Sequence, residues 1–137
     1  MWRCPPEISR LVILAAALAT AGCGEVRITY GDHHCSSNPP PGVVVEFVAR
    51  SNGSPVAVAA TGVLRDGPYQ EQMTPTDSRH AGPGRTYALA GAYDREGIYE
   101  VRVETAFGEV LTWSRIKVSA DRCGPFTVVL QASLTSF

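Results

Sequence analysis

No stretch of this 137-residue chain is apolar for long enough to cross a bilayer as a helix. The longest apolar run, residues 11–19, is nine residues, where about 20 are needed. Positive charge is not in surplus either: twelve Lys and Arg stand against thirteen Asp and Glu. With no basic face to neutralise phosphates, nucleic acid is excluded as a partner. Lysine is nearly missing, Lys117 being the single one, and this arginine bias reads as codon usage rather than chemistry. After residue 24 no segment offers ten residues of helical period, which excludes an α-helical fold. Histidine is scarce (His33, His34 and His80), and no Ser-His-Asp or Cys-His arrangement can be drawn from spacing, since such triads are assembled in space. No catalytic residue is assigned, no cofactor is expected, and the chain reads as a non-enzyme.

What is present begins with an export signal. Arg3 and Arg10 precede the apolar run, and the small residues Ala21 and Gly22 follow it, the three parts of a secretory leader. Thr20-Ala21-Gly22-Cys23 resembles the bacterial lipobox, although Thr20 stands where leucine is usual. That resemblance implies a signal peptide over residues 1–22, a lipidated Cys23 as mature N-terminus, and a membrane-anchored lipoprotein. Gly24 after the cysteine, where aspartate would mark inner-membrane retention, favours the outer membrane in a cell with two. The alternative is a plain secretory signal cut near Ala21. Residues 23–137 carry ten basic and twelve acidic side chains, a net charge of −2, and are long enough for one core.

Cysteine bookkeeping follows from the signal. Cys4 leaves with the leader and Cys23 takes the lipid, so Cys35 and Cys123 remain. In an oxidising envelope an isolated pair is expected to form a disulfide; two buried free thiols are the alternative. Residues 23–42 end in Ser-Ser-Asn-Pro-Pro-Pro-Gly and read as a tether, with Ile28 and Tyr30 as apolar side chains that would dock it on the domain. Asp32-His33-His34-Cys35 is the one stretch with metal-ligand types, suited to zinc or copper. Adjacent histidines in extended chain point opposite ways, Cys35 is needed for the disulfide, and His80 would have to fold back as a third ligand. No metal site is assigned, and a zinc- or copper-binding lipoprotein stands as the alternative function.

From residue 43 the pattern has period two. Val43, Val45, Phe47 and Ala49 share a face, and the Ser-Asn-Gly-Ser-Pro turn ends that strand. Further strands are expected at residues 58–65, 69–73, 86–93, 99–105, 109–119 and 126–134. Tyr99, Val101, Val103 and Thr105 alternate with Glu100, Arg102 and Glu104, the strongest strand signal in the chain. Leu111 and Trp113 have one parity, and Ile116 and Val118 the other, so a bulge is expected near Ser114. Residues 74–85 read as the longest loop. Asn52-Gly53-Ser54 matches a glycosylation sequon but reads as a turn. The sum is an all-β, seven-stranded antiparallel two-sheet sandwich over residues 43–137.

Gly53-Ser54-Pro55-Val56 after the first strand, the alanine-rich second strand, Gly97-Ile98-Tyr99-Glu100-Val101-Arg102-Val103 and then Phe107-Gly108 resemble the transthyretin-like, or carboxypeptidase regulatory-like, β-sandwich. The resemblance spans residues 43–134 and implies a fold more than a function. The enzyme branch of that family, the hydroxyisourate hydrolases, carries a histidine in the first strand and a terminal Tyr-Arg-Gly-Ser. This chain has VVVEFVAR and Leu134-Thr135-Ser136-Phe137 instead, so that activity is not expected. The expected function is an anchored envelope module that holds the membrane through Cys23 and binds an unknown protein or polysaccharide. Trp113, Tyr93 and Tyr69 are the aromatic side chains available as sugar platforms, unless they serve the core.

Overall fold

The computed structural model describes the backbone of Val26–Ile28 and residues 38–137. Residues 1–22, read as a signal peptide, and Cys23, His33, His34 and Cys35 lie outside the described residues. The described chain is all-β: β1 (Val26–Ile28), β2 (Val43–Ala49), β3 (Ala60–Asp66), β4 (Tyr69–Gln72), β5 (Thr74–Pro75), β6 (Ala88–Gly91), β7 (Gly97–Thr105), β8 (Val110–Val118), β9 (Ala120–Asp121), β10 (Gly124–Pro125) and β11 (Val128–Leu134). One sheet has the order β1-β11-β2-β6-β5 and a second β4-β3-β7-β8, with β9 and β10 forming a small ribbon. No helix of the described residues is long and apolar enough to cross a membrane.

The two sheets pack on a shared core because alternate residues of each present apolar side chains to the other. Val45, Phe47 and Leu130 from the first meet Leu64, Val101 and Leu111 from the second. On β7 the alternation is complete: Tyr99, Val101, Val103 and Thr105 are buried while Glu100, Arg102 and Glu104 face solvent. The expected bulge lies where parity required it. Tyr99 faces Ile116 but Val101 faces Trp113, so Ser114 and Arg115 together stand opposite Glu100. Arg115 takes a left-handed φ of 57° there, and the residues on either side return to the core.

Among the described residues the seven expected stretches coincide with β2, β3, β4, β6, β7, β8 and β11, and β1, β5, β9 and β10 are additional, because two- and three-residue strands have no period to read. β5 lies within the stretch read as the longest loop and pairs with β6, Thr74 opposite Ala90 and Pro75 opposite Leu89. Proline is accommodated at this position because β5 is the outer strand of its sheet. β1 lies within the residues read as a tether and pairs antiparallel with β11, so the sheet takes in chain upstream of Gly42. β6 is shorter than expected, since Ala92 leaves it with a φ of 57°.

β2 and β11 run parallel in register, Val43 beside Val128 through Ala49 beside Leu134, although every other pairing is antiparallel. The two strands start at one end of the fold, as a Cys35–Cys123 bridge would require. Among the seven longer strands, the first, fourth and seventh share one sheet and the second, third, fifth and sixth the other. That grouping differs from the ABED and CFG sheets of an immunoglobulin constant-type domain.

Candidate functional site

Two ends of the fold carry the exposed turns. At the end where β2 begins, Gly42 donates its N–H to the Ala92 carbonyl at 3.1 Å, and the β3–β4 and β6–β7 connections converge. At the other end β2 and β11 finish beside the β7–β8 turn, Arg50 N–H donating to the Leu134 carbonyl at 2.9 Å.

The Gly42 end holds a connected set of polar side chains. Glu71 of β4 accepts from the Tyr69 hydroxyl at 3.0 Å and, with the same oxygen, from the Ala92 N–H at 3.0 Å. This carboxylate ties the two sheets together and holds Ala92 in its left-handed conformation, which costs a residue with a Cβ about 1–2 kcal/mol. The Arg95 guanidinium lies 3.8 Å from the Tyr69 ring centre and pairs with Asp66 at 3.3 Å. The buried Tyr99 donates its hydroxyl to the Arg95 carbonyl at 3.2 Å. Gly97 packs closely here: a Cβ would fall 2.5 Å from the Asp66 carboxylate, displacing it from Arg95, and 3.3 Å from the Tyr99 ring.

Above this framework the turn carries Tyr93, exposed by 42%, and the start of β7 carries Ile98, exposed by 58%. Asp94 shares the left-handed region with a φ of 55°, so the turn is fixed by two unusual backbone positions. Glu96, Ile98, Lys117 and Ser119 border an open depression of about 190 Å³, smaller than the 300–1,000 Å³ typical of small-molecule sites. The surface suits a docking face better than an enclosed ligand.

Burial pushes the Tyr99 hydroxyl pKa up, with the Arg95 charge opposing; burial and then the Glu71 hydrogen bond raise that of Tyr69. A raised folded-state value means that both phenols contribute their full stability below the ordinary tyrosine pKa of about 10 and lose it as pH climbs through the raised values. Tyr99→Phe is therefore expected to flatten the alkaline loss of stability. Urea midpoints at about pH 8 and about pH 11 check this, and a parallel decline in wild type and variant would refute it.

The aromatic residues singled out in the sequence divide sharply. Trp113 is buried in the core and cannot be a sugar platform; Tyr69 has one face taken by Arg95; Tyr93 is exposed. His80 sits in an exposed loop with a φ of 62°, and no group of three metal-ligating side chains occurs among the described residues. Glu100 and Glu104 face water, Glu104 pairing with Arg102 at 3.1 Å. Asn52 accepts the Ser54 N–H at 3.0 Å through its side chain, an Asx turn. Cys123 is not a free thiol, and its expected partner Cys35 is outside the described residues. Sequence reading misses the Asp66–Tyr69–Glu71–Arg95 set, which joins β3 and β4 to the β6–β7 turn; Asp66-Gly67 and Asp94-Arg95-Glu96-Gly97 are legible only as turns. Comparison with family models, curated proteins and solved structures returns no match.

Proposed function

We propose that the chain is a non-enzymatic, lipid-anchored module of the cell envelope, exported by residues 1–22, lipidated on Cys23 and built on a seven-stranded transthyretin-like β-sandwich. It binds a protein or an envelope polymer through its Gly42 end, and in a cell with two membranes it belongs to the outer one. The observation that carries the binding assignment is a pair of exposed apolar side chains at that end, Tyr93 on the β6–β7 turn and Ile98 at the start of β7. The turn's backbone is tied down by Glu71 and the Tyr99–Arg95 bond, while both side chains stay in solvent. A surface already rigid avoids the ordering cost of association, which is how scaffold-mounted turns bind. The anchor rests on Ala21-Gly22-Cys23.

Two measurements test the parts separately. Cys23→Ser is expected to move the protein from the membrane to the soluble fraction; a wild type already soluble, with Cys23 unmodified by mass spectrometry, removes the anchor. Tyr93→Ser with Ile98→Ser is expected to abolish the product crosslinked in intact envelope while leaving the fold unchanged. An undiminished product would place binding elsewhere.

A further inference from the structure

We infer that the Phe107 end of the fold rests on the membrane, with Phe107 and Phe137 set into the lipid interface. The inference depends on the lipidation of Cys23 proposed above and adds an orientation to it. Ile28 lies opposite Val128 and Val26 opposite Leu130, so β1 traced backward heads along β11 toward Leu134. Cys23 lies three positions before Val26, a reach of at most about 11 Å, and Leu130 to Leu134 spans about 13 Å of strand. A lipid on Cys23 is therefore within about 11 Å of the start of β1, the end of that strand that points along β11 toward Leu134. Residues 29–42, read as part of the tether, connect two strands of the same sheet and add no slack between lipid and fold.

The surface at that end fits a bilayer interface. Phe107 tips the β7–β8 turn, exposed by 66%, and Phe137 is exposed by 41%; their rings meet edge to face, 5.8 Å between centres. Glu109 fixes the segment leading to Phe137 by accepting from the Thr135 N–H at 3.1 Å and its hydroxyl at 3.0 Å. Arg50 leaves β2 at the same end with its side chain exposed, a cation at headgroup level. Interfacial aromatic groups settle about 5–10 Å into the headgroup boundary, which removes from water two rings that the fold leaves uncovered. The length of β2, about 20 Å, then lifts Tyr93 and Ile98 off the surface, facing the envelope space.

Bromolipid quenching of single reporters tests this orientation. Phe107→Trp and Tyr93→Trp are each made in the full lipidated protein, keeping the buried Trp113 as a constant background. Both are reconstituted on vesicles of phosphatidylethanolamine and phosphatidylglycerol with or without brominated acyl chains. Phe107→Trp emission is expected to fall about twofold on the brominated vesicles, as insertion to interfacial depth requires, and Tyr93→Trp emission to stay unchanged. Phe137→Trp repeats the measurement at the second ring. Equal quenching at both ends, or none at Phe107 and Phe137 in protein that floats with vesicles and carries its lipid, overturns the orientation and leaves the anchor standing. Protein without lipid on Cys23 overturns both.

Discussion

Val101→Asp is expected to abolish the folded domain, whereas Arg102→Asp, one residue on, leaves it folded. Val101 is 1% exposed between β3 and β8, opposite Leu64 and Trp113. A carboxylate there has no cationic partner, and an unpaired buried charge costs several kcal/mol against a total stability of about 5–15 kcal/mol. Arg102 points outward and loses only its exposed pair with Glu104, worth about 0–1 kcal/mol. Circular dichroism and thermal melts of the two variants decide the matter; similar melting temperatures would mean that the faces of β7 are misassigned.

The second large effect concerns Cys123. The chain entering β2 lies against the chain entering β11: Thr127 donates its hydroxyl to the Pro41 carbonyl at 2.8 Å, and Val128 its N–H to the Gly42 carbonyl at 2.8 Å. A Cβ on Gly124 would come within 3.4 Å of Pro39. Cys35 lies four positions before Pro39, a span of at most about 14 Å, so the proposed Cys35–Cys123 bridge is within reach. Closing its loop stabilises the fold by about 4–5 kcal/mol in the chain-entropy model. Reduction is accordingly expected to lower the urea midpoint steeply while the far-ultraviolet spectrum below the transition is retained. Recovery of both cysteines as free thiols in a non-reducing peptide map would discard the bridge.

Period two carried most of the fold into the sequence. Val101 announces a buried face through Glu100 and Arg102 on either side, Phe47 and Leu130 through Glu46 and Gln131 on one side only, and the parity break between Trp113 and Ile116 marks the bulge without reference to any pairing. What escaped were features that live in partners rather than in pattern. Val26–Ile28 is a strand because β11 offers it a ladder, and no local alternation marks three residues. The parallel match of β2 with β11 is likewise invisible in either strand alone. The Gly42-end site failed for a related reason: Glu71 has its role only because Ala92, 21 residues later, turns its N–H toward it. Trp113 shows the converse, an aromatic residue whose type suggests a platform and whose place in the alternation already assigned it inward.

The parallel pair also sets the order of events during folding. Val43 and Val128 are 85 residues apart in sequence, yet β2 depends on β11 for one of its two ladders, and β1 depends on it for its only one. Until residue 134 is available, a chain emerging N-terminus first can close the β3–β4 and β7–β8 hairpins but not the sheet that contains its own first strands. Such long-range closure slows folding, because loop entropy is spent before the contacts reward it. The unfinished sheet leaves the Val43–Ala49 strand with an open edge and an apolar face, the kind of segment that aggregates when it waits. The β4-β3-β7-β8 sheet needs no residue beyond 118, so the last strand to arrive completes the fold against a sheet that can already stand.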